Sequence, residues 1–98
     1  MPAQGSLTRR VIVEGFVQGV GYRHFAHRAA LRLRLSGWVR NRSDGTVEAL
    51  ISGPPDAVET MLAELRRGPP GARVRGVHLA EAEGGTWESG VFQVRATA

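Results

Sequence analysis

Three features of the sequence predict an α+β fold in which an antiparallel sheet carries two helices on one face. Short apolar runs bounded by glycine or proline indicate strands, and two longer stretches place apolar residues at helical spacing. These segments alternate along a chain of 98 residues, a length typical of a single domain with one core. We therefore expect residues 1–98 to form one domain, with residues 1–6 as a frayed N-terminus.

The first half of the chain predicts a strand, a loop, a helix and a hairpin. An apolar run indicates the strand over residues 7–14, and three glycines within residues 15–21 then favour a loop. The helix predicted over residues 22–35 lacks glycine and proline and has apolar residues at helical spacing. An Asp-Gly turn, which tolerates positive φ, indicates a hairpin with strands over 38–42 and 46–52.

The second half predicts a helix and two strands. The run Gly-Pro-Pro-Asp at 53–56 is typical of a helix start, and residues 58–65 form one apolar stripe at helical spacing. A strand over 73–81, a loop over 83–90 and a last short strand over 91–95 follow. The resulting order, strand, helix, strand, strand, helix, strand with one further strand, is the ferredoxin-like pattern. Because this scaffold hosts many activities, the site has to be argued separately.

Charge and composition restrict the function classes. All 13 basic residues are arginine, against nine carboxylates, and the guanidinium fork matches phosphate oxygens on either a nucleic acid or a small molecule. The absence of cysteine excludes disulfides, thiolate nucleophiles and cysteine-based zinc sites, and it is typical of a reducing compartment. No apolar run is long enough for a membrane span or a secretory signal. We expect a cytoplasmic protein that does not bind a membrane.

The glycine loop leads into the first helix and suggests an anion site. Successive N–H groups of such a loop can turn inward beside the positive end of the helix dipole, and Arg23 in the first turn adds a fixed charge. The sequence contains neither G-x-x-x-x-G-K-[ST] nor G-x-G-x-x-G, which disfavours nucleotide binding. From these residues alone, an ordinary tight connection and an anion site are equally good interpretations.

Two segments of the chain resemble the sequence signature of the acylphosphatase family. The pattern G-x-V-Q-G-V-x-[FY]-R matches Gly15 to Arg23, and G-W-V-x-N-x-x-D-G-x-V-E matches Gly37 to Glu48. The likeness extends to Phe92-Gln93-Val94 and so covers nearly the whole chain. It implies the ferredoxin-like fold, hydrolysis of acyl phosphates to a carboxylate and inorganic phosphate, and no metal or organic cofactor.

The resemblance also implies roles for individual residues. The loop and the arginine would bind phosphate, and the asparagine would orient the attacking water, which makes Arg23 and Asn41 the expected catalytic residues. The implied phosphate-binding residues are Gln18, Gly19, Val20, Gly21, Tyr22 and Arg23. The expected partners are a small acyl phosphate and inorganic phosphate, with no nucleic acid, and we expect a monomer.

Several other polar or aromatic residues have ordinary interpretations. We expect Trp38 to pack within or at the edge of the sheet rather than stack on a substrate. His24 and His27 lie three apart on a helix but lack the H-E-x-x-H arrangement, so we interpret them as surface residues. Asp44 resembles a general base, but its place in an Asp-Gly turn explains it more simply.

Arg34 departs from the family pattern, which commonly has glycine at this position. If the backbone there is left-handed, the side chain costs roughly 1 kcal/mol relative to glycine. Alternatively, the first helix continues to a cap at Ser36-Gly37. The position lies outside both matched segments, so either outcome concerns the helix end rather than the chemistry.

Two other function classes fit the predicted fold. An RNA-recognition module shares the element order and the basic charge, but it would need aromatic residues on its central strands to stack bases, and residues 47–51 contain none. A regulatory or carbamoyl-phosphate-handling domain of a larger protein would keep the same fold and phosphate pocket. From the length of the chain we expect a free-standing enzyme instead.

Overall fold

The computed structural model describes residues 6–80 and 90–98, which form five strands and two helices. In chain order the elements are β1 (Leu7–Phe16), α1 (Tyr22–Arg32), β2 (Ser36–Asn41), β3 (Val47–Gly53), α2 (Pro55–Arg67), β4 (Arg73–Ala80) and β5 (Phe92–Arg95). The predicted ferredoxin-like order is confirmed. The predicted frayed end, apart from Ser6, and the predicted loop over 83–90, apart from Gly90, lie outside the described residues.

The described strands form one sheet in the order β4-β1-β3-β2-β5. β1 pairs antiparallel with both β3 and β4, and β2 pairs antiparallel with β3. The additional C-terminal strand, β5, runs parallel to β2 at the opposite edge from β4, so the complete sheet is mixed. The predicted antiparallel arrangement therefore applies to the first four strands, and β5 is an edge strand that pairs in parallel.

Both helices pack on the same face of the sheet around one apolar core. α1 contacts β2 and β5, α2 contacts β1, β3 and β4, and the helices contact each other. The predicted apolar stripe of α2 is buried. It consists of Val58, Met61, Leu62 and Leu65. Neither described helix is long and apolar enough to cross a membrane.

The end of α1 decides between the two interpretations of Arg34. The φ angle of Arg34 is 59°, in the left-handed region. The N–H of Leu35 donates to the carbonyl of Ala30 at 2.9 Å, and the N–H of Arg34 donates to that of Leu31 at 3.2 Å. These are the two hydrogen bonds of a Schellman motif. The alternative in which the helix continues to Ser36 is wrong, because that residue already begins β2.

The helix-free face of the sheet holds a buried ion pair that ties its central strands together. Glu48, 3% exposed, accepts hydrogen bonds from the guanidinium groups of Arg10 at 2.6 Å and Arg40 at 2.8 Å. Burial raises the pKa of Glu48, but the two guanidinium hydrogen bonds outweigh it and leave the pKa below its usual range. The carboxylate therefore stays ionised and joins β1, β2 and β3.

Trp38 lies on the same helix-free face and is buried. The guanidinium carbons of Arg40 and Arg95 lie 4.8 Å and 5.0 Å from the centre of its ring. Such stacking is a favourable cation–π arrangement that also covers the ring. The packing interpretation of Trp38 is confirmed.

Candidate active site

The loop between β1 and α1 has the concave backbone that its glycines predict. Gly19 and Gly21 have φ angles of 76° and 77°, which residues with side chains rarely adopt. A Cβ at either position would meet no atom within 4 Å. The backbone conformation, rather than lack of space, therefore favours glycine at both positions, and left-handed residues of this kind turn successive N–H groups to one side.

α1 begins at the end of this loop, and no side chain caps its N-terminus. Gly21 is the N-cap residue, no side chain bonds to the first N–H groups, and the first turn contains no acidic residue. The first helical hydrogen bond runs from the N–H of Phe25 to the carbonyl of Gly21 at 3.0 Å. The N–H groups of the preceding three residues have no intrahelical acceptor, so the positive end of the helix is available to an anion.

Arg23 lies in the first turn of α1 and is half-buried. Its Nη1 donates to the carbonyl oxygen of Arg95 in β5 at 3.3 Å. No carboxylate of the described residues forms an ion pair with it. Because a guanidinium has five N–H donors, this anchor orients the side chain and leaves its charge and most of its donors for a ligand.

Asn41 is the last residue of β2, next to the hairpin turn. Its backbone carbonyl accepts the N–H of Ala98 at 2.9 Å. Its side-chain amide makes no hydrogen bond with the part of the chain that the structure describes. The amide oxygen and nitrogen can therefore accept from and donate to a water molecule.

These groups line a single cleft of about 320 Å³. The lining residues are Val17, Gly19, Gly21, Tyr22, Arg23, His24, Asn41 and Val94. The fold thus brings together Arg23 and Asn41, the two residues expected to be catalytic. None of these eight residues is acidic, so the described part of the chain gives the cleft a lining that attracts an anion and supplies it with no carboxylate to act as a general base.

The side chains of two predicted phosphate-binding residues point away from this cleft. The Nε2 of Gln18 donates to the carbonyls of Arg42 and Thr46, each at 2.8 Å. Val20 packs against the edge of the core. For both residues, the backbone N–H is the group left for a phosphate, and the Gln18 side chain instead joins the loop to the β2–β3 hairpin.

Comparison with known proteins identifies the family of the chain. The family model for acylphosphatases matches residues 9–92. The chain belongs to the acylphosphatase family. An acylphosphatase from Syntrophotalea carbinolica is 48% identical over 87 residues, which cover 88% of this chain and 92% of that protein. An acylphosphatase from Nitrobacter hamburgensis is 54% identical over 71 residues, 72% of each chain.

A solved structure of an acylphosphatase shares the fold. The protein from Coxiella burnetii is 35% identical, with a TM-score of 0.83 over 94% of this chain and 95% of that one. The family and fold predicted from the two matched segments are therefore confirmed, and the chain is a hydrolase of the acylphosphatase family.

Three lining residues of this cleft, and the carbonyl that anchors Arg23, were not predicted from the sequence. Val17 belongs to the glycine loop and His24 follows Arg23, so their positions alone could have indicated them. Val94 and the carbonyl of Arg95 belong to β5, and no sequence pattern showed that β5 lies beside β2. These contributions depend on the topology of the sheet.

Asp44 and Tyr22 have structural roles beside the cleft. Asp44 accepts hydrogen bonds from the hydroxyl and the N–H of Thr46, at 2.6 Å and 2.9 Å, and these bonds lower its pKa. The turn interpretation of Asp44 is confirmed. The hydroxyl of Tyr22 donates to the carbonyl of Leu65 at 2.6 Å, and burial raises its pKa, so the phenol remains protonated and ties α1 to α2.

The histidines do not combine into a metal site in the described residues. His24 lines the cleft, the ring of His27 lies 6.2 Å from that of Phe92, and His78 bonds to Glu14 at 2.7 Å. Within residues 6–80 and 90–98, no group of three or more His, Cys, Asp or Glu side chains is arranged to hold a metal ion.

Proposed function

We propose that this chain hydrolyses acyl phosphates to a carboxylate and inorganic phosphate, with the phosphoryl group held by the glycine loop and Arg23 and the water oriented by Asn41. One observation carries the proposal: the uncapped N-terminus of α1 and an arginine that pairs with no carboxylate of residues 6–80 and 90–98 open into the same cleft, whose described lining residues include no acidic one. This set of donors suits a phosphate dianion.

Binding and stabilisation of the phosphoryl group need no covalent chemistry from the protein. Phosphoryl transfer passes through a loose state with charge spread over three equatorial oxygens. Loop N–H groups and the Arg23 guanidinium, held in place before the reaction, stabilise that charge without reorganising. One donor of this kind is often worth about 3 kcal/mol.

The chemical step requires one positioned water molecule. The oxygen of that water, held by the Asn41 amide, attacks phosphorus, and the bond between phosphorus and the acyl oxygen breaks. The bonding electrons leave with the carboxylate, which is a good leaving group and needs no general acid. Because a neutral amide is not a base, the proton of the water passes to a phosphate oxygen, and the step uses no metal ion.

The test is hydrolysis of benzoyl phosphate by purified protein in the presence of a chelator. We expect rapid turnover by the wild type. Arg23→Gln should lower kcat/KM by roughly a hundredfold, because it removes a donor and a charge from the transferring group. Asn41→Ala should lower kcat by roughly a hundredfold while inorganic phosphate still inhibits competitively, because it removes the positioning of water but not the phosphate site.

Two variants serve as matched controls. Arg66→Gln removes an exposed arginine of α2 that does not line the cleft, and Ser43→Ala alters an exposed side chain of the hairpin. Both should retain wild-type turnover, with folding checked by circular dichroism. Turnover that survives Arg23→Gln, or that disappears with the chelator, would contradict the proposed roles.

A single domain over residues 1–98, a monomeric state, a cytoplasmic location and the absence of a nucleic-acid partner stay predictions from the sequence.

A further inference from the structure

A second cleft, of about 270 Å³, adjoins the phosphate cleft. Gly21 and His24 line both clefts, so the two share an edge. From that edge the second cleft continues along α1 towards the end of α2. Its other lining residues are Phe25, Arg28, Arg32, Glu64, Arg67, Pro69 and Pro70.

The rim of the second cleft has an excess of positive charge. Its charged residues are three arginines and one carboxylate. Glu64 is shared by Arg32 at 3.5 Å and Arg67 at 2.5 Å. Arg28 is exposed and forms no ion pair with a carboxylate of the described residues. Among the described residues, the charge of one guanidinium next to the phosphate cleft is therefore not balanced by a carboxylate.

The floor of the second cleft is apolar. Phe25 is half-buried, with the guanidinium carbon of Arg67 lying 5.7 Å from the centre of its ring, and Pro69 and Pro70 complete the lining. His24, at the shared edge, and Arg28 lie four positions apart on α1, which corresponds to about 6 Å along the helix axis. A short hydrocarbon group can span that distance over the Phe25 ring.

We propose that this second cleft receives the acyl part of the substrate, and that Arg28 makes the enzyme prefer acyl phosphates whose acyl part carries a second anionic group. The inference rests on the proposed function, since it extends the same site from the phosphoryl group to the leaving carboxylate. A guanidinium binds a carboxylate or phosphate with two parallel hydrogen bonds, and the apolar floor accommodates the carbon atoms between the two anionic ends.

The preference can be tested with two substrates that differ in one charge. Para-carboxybenzoyl phosphate and para-carbamoylbenzoyl phosphate have nearly the same shape, and neither can attack its own anhydride bond; the meta isomers test a shorter span. In wild type at low ionic strength we expect kcat/KM to be at least about threefold higher for the carboxylate than for the carboxamide. Added salt should reduce this ratio, because Arg28 is exposed.

The decisive comparison is between two arginine variants of equal net charge. Arg28→Gln should bring the ratio close to one by lowering kcat/KM mainly for the carboxylate, whereas Arg66→Gln should keep the wild-type ratio. Two results would overturn the inference, provided that the carboxamide is still hydrolysed. The first is the same ratio in wild type and Arg28→Gln, and the second is an equal fall of the ratio in Arg28→Gln and Arg66→Gln. If folded wild type hydrolyses neither substrate, the proposed function fails, and the inference with it.

Discussion

Arg34 is a residue with a side chain in a backbone conformation that favours glycine, with φ of 59° at the end of α1. We expect Arg34→Gly to raise the free energy of unfolding by about 0.5–1 kcal/mol. Left-handed backbone costs a side-chain-bearing residue roughly 1–2 kcal/mol, and part of that gain is offset by the greater freedom of glycine in the unfolded chain. Urea denaturation measures the difference.

The matched control is Arg28→Gly, which introduces glycine at an exposed arginine within the same helix. At that position helical backbone favours arginine, so stability should fall by about 1 kcal/mol. If Arg34→Gly also lowered stability, the left-handed conformation would not be the source of strain.

At the scale of residues, much of the site could be predicted because its members lie in two contiguous segments. Arg23 and Asn41 were identified from those segments, and the structure places both in one cleft. The conformation of Arg34 could not be predicted, because its local sequence suits both a continuing helix and a capped one. The start of β2 at Ser36 decides between them, and this depends on tertiary structure.

At the scale of elements, Gln18 couples the glycine loop to the hairpin that carries Asn41. Gln18→Leu keeps a similar volume but leaves the carbonyls of Arg42 and Thr46 without this donor. The free energy of unfolding should fall by about 1–3 kcal/mol. The hairpin would also lose its fixed position relative to the loop, so kcat should fall roughly tenfold.

The inhibition constant of inorganic phosphate distinguishes this coupling from general damage to the loop. The loop N–H groups and Arg23 remain in Gln18→Leu, so phosphate should inhibit about as well as in wild type while kcat falls. Equal losses of phosphate affinity and kcat would show instead that Gln18 maintains the loop itself. An unchanged kcat would show that the hairpin needs no such link.

Element types were predictable, whereas several boundaries and one pairing were not: β1, for example, extends to Phe16 instead of ending at Glu14. Periodic apolar positions predicted both helices, yet the first was expected over 22–35 and ends at Arg32. No sequence pattern predicted that β5 pairs parallel with β2. β5 has only four residues, and no tight turn joins it to its partner. Its contributions to the cleft, Val94 and the Arg95 carbonyl, were therefore missed.

At the scale of the whole molecule, the sheet topology explains why distant segments meet in one site. β1 and β2 both run antiparallel to β3, so they run in the same direction, and β5 runs parallel to β2. The carboxyl ends of all three strands therefore lie at the same end of the sheet. The loop that leads into α1 follows β1, Asn41 ends β2, and the Arg95 carbonyl that holds Arg23 ends β5.

The central claim is that this end of the sheet binds the phosphoryl group and presents water to phosphorus. The most direct test is to follow the bond that breaks, by letting the wild type hydrolyse benzoyl phosphate in water labelled with heavy oxygen, with a chelator present. Mass spectrometry of the products then locates the label. We predict label in the inorganic phosphate and unlabelled benzoate. Label in the benzoate would mean that water attacks the acyl carbon, which contradicts the roles assigned to Arg23 and Asn41.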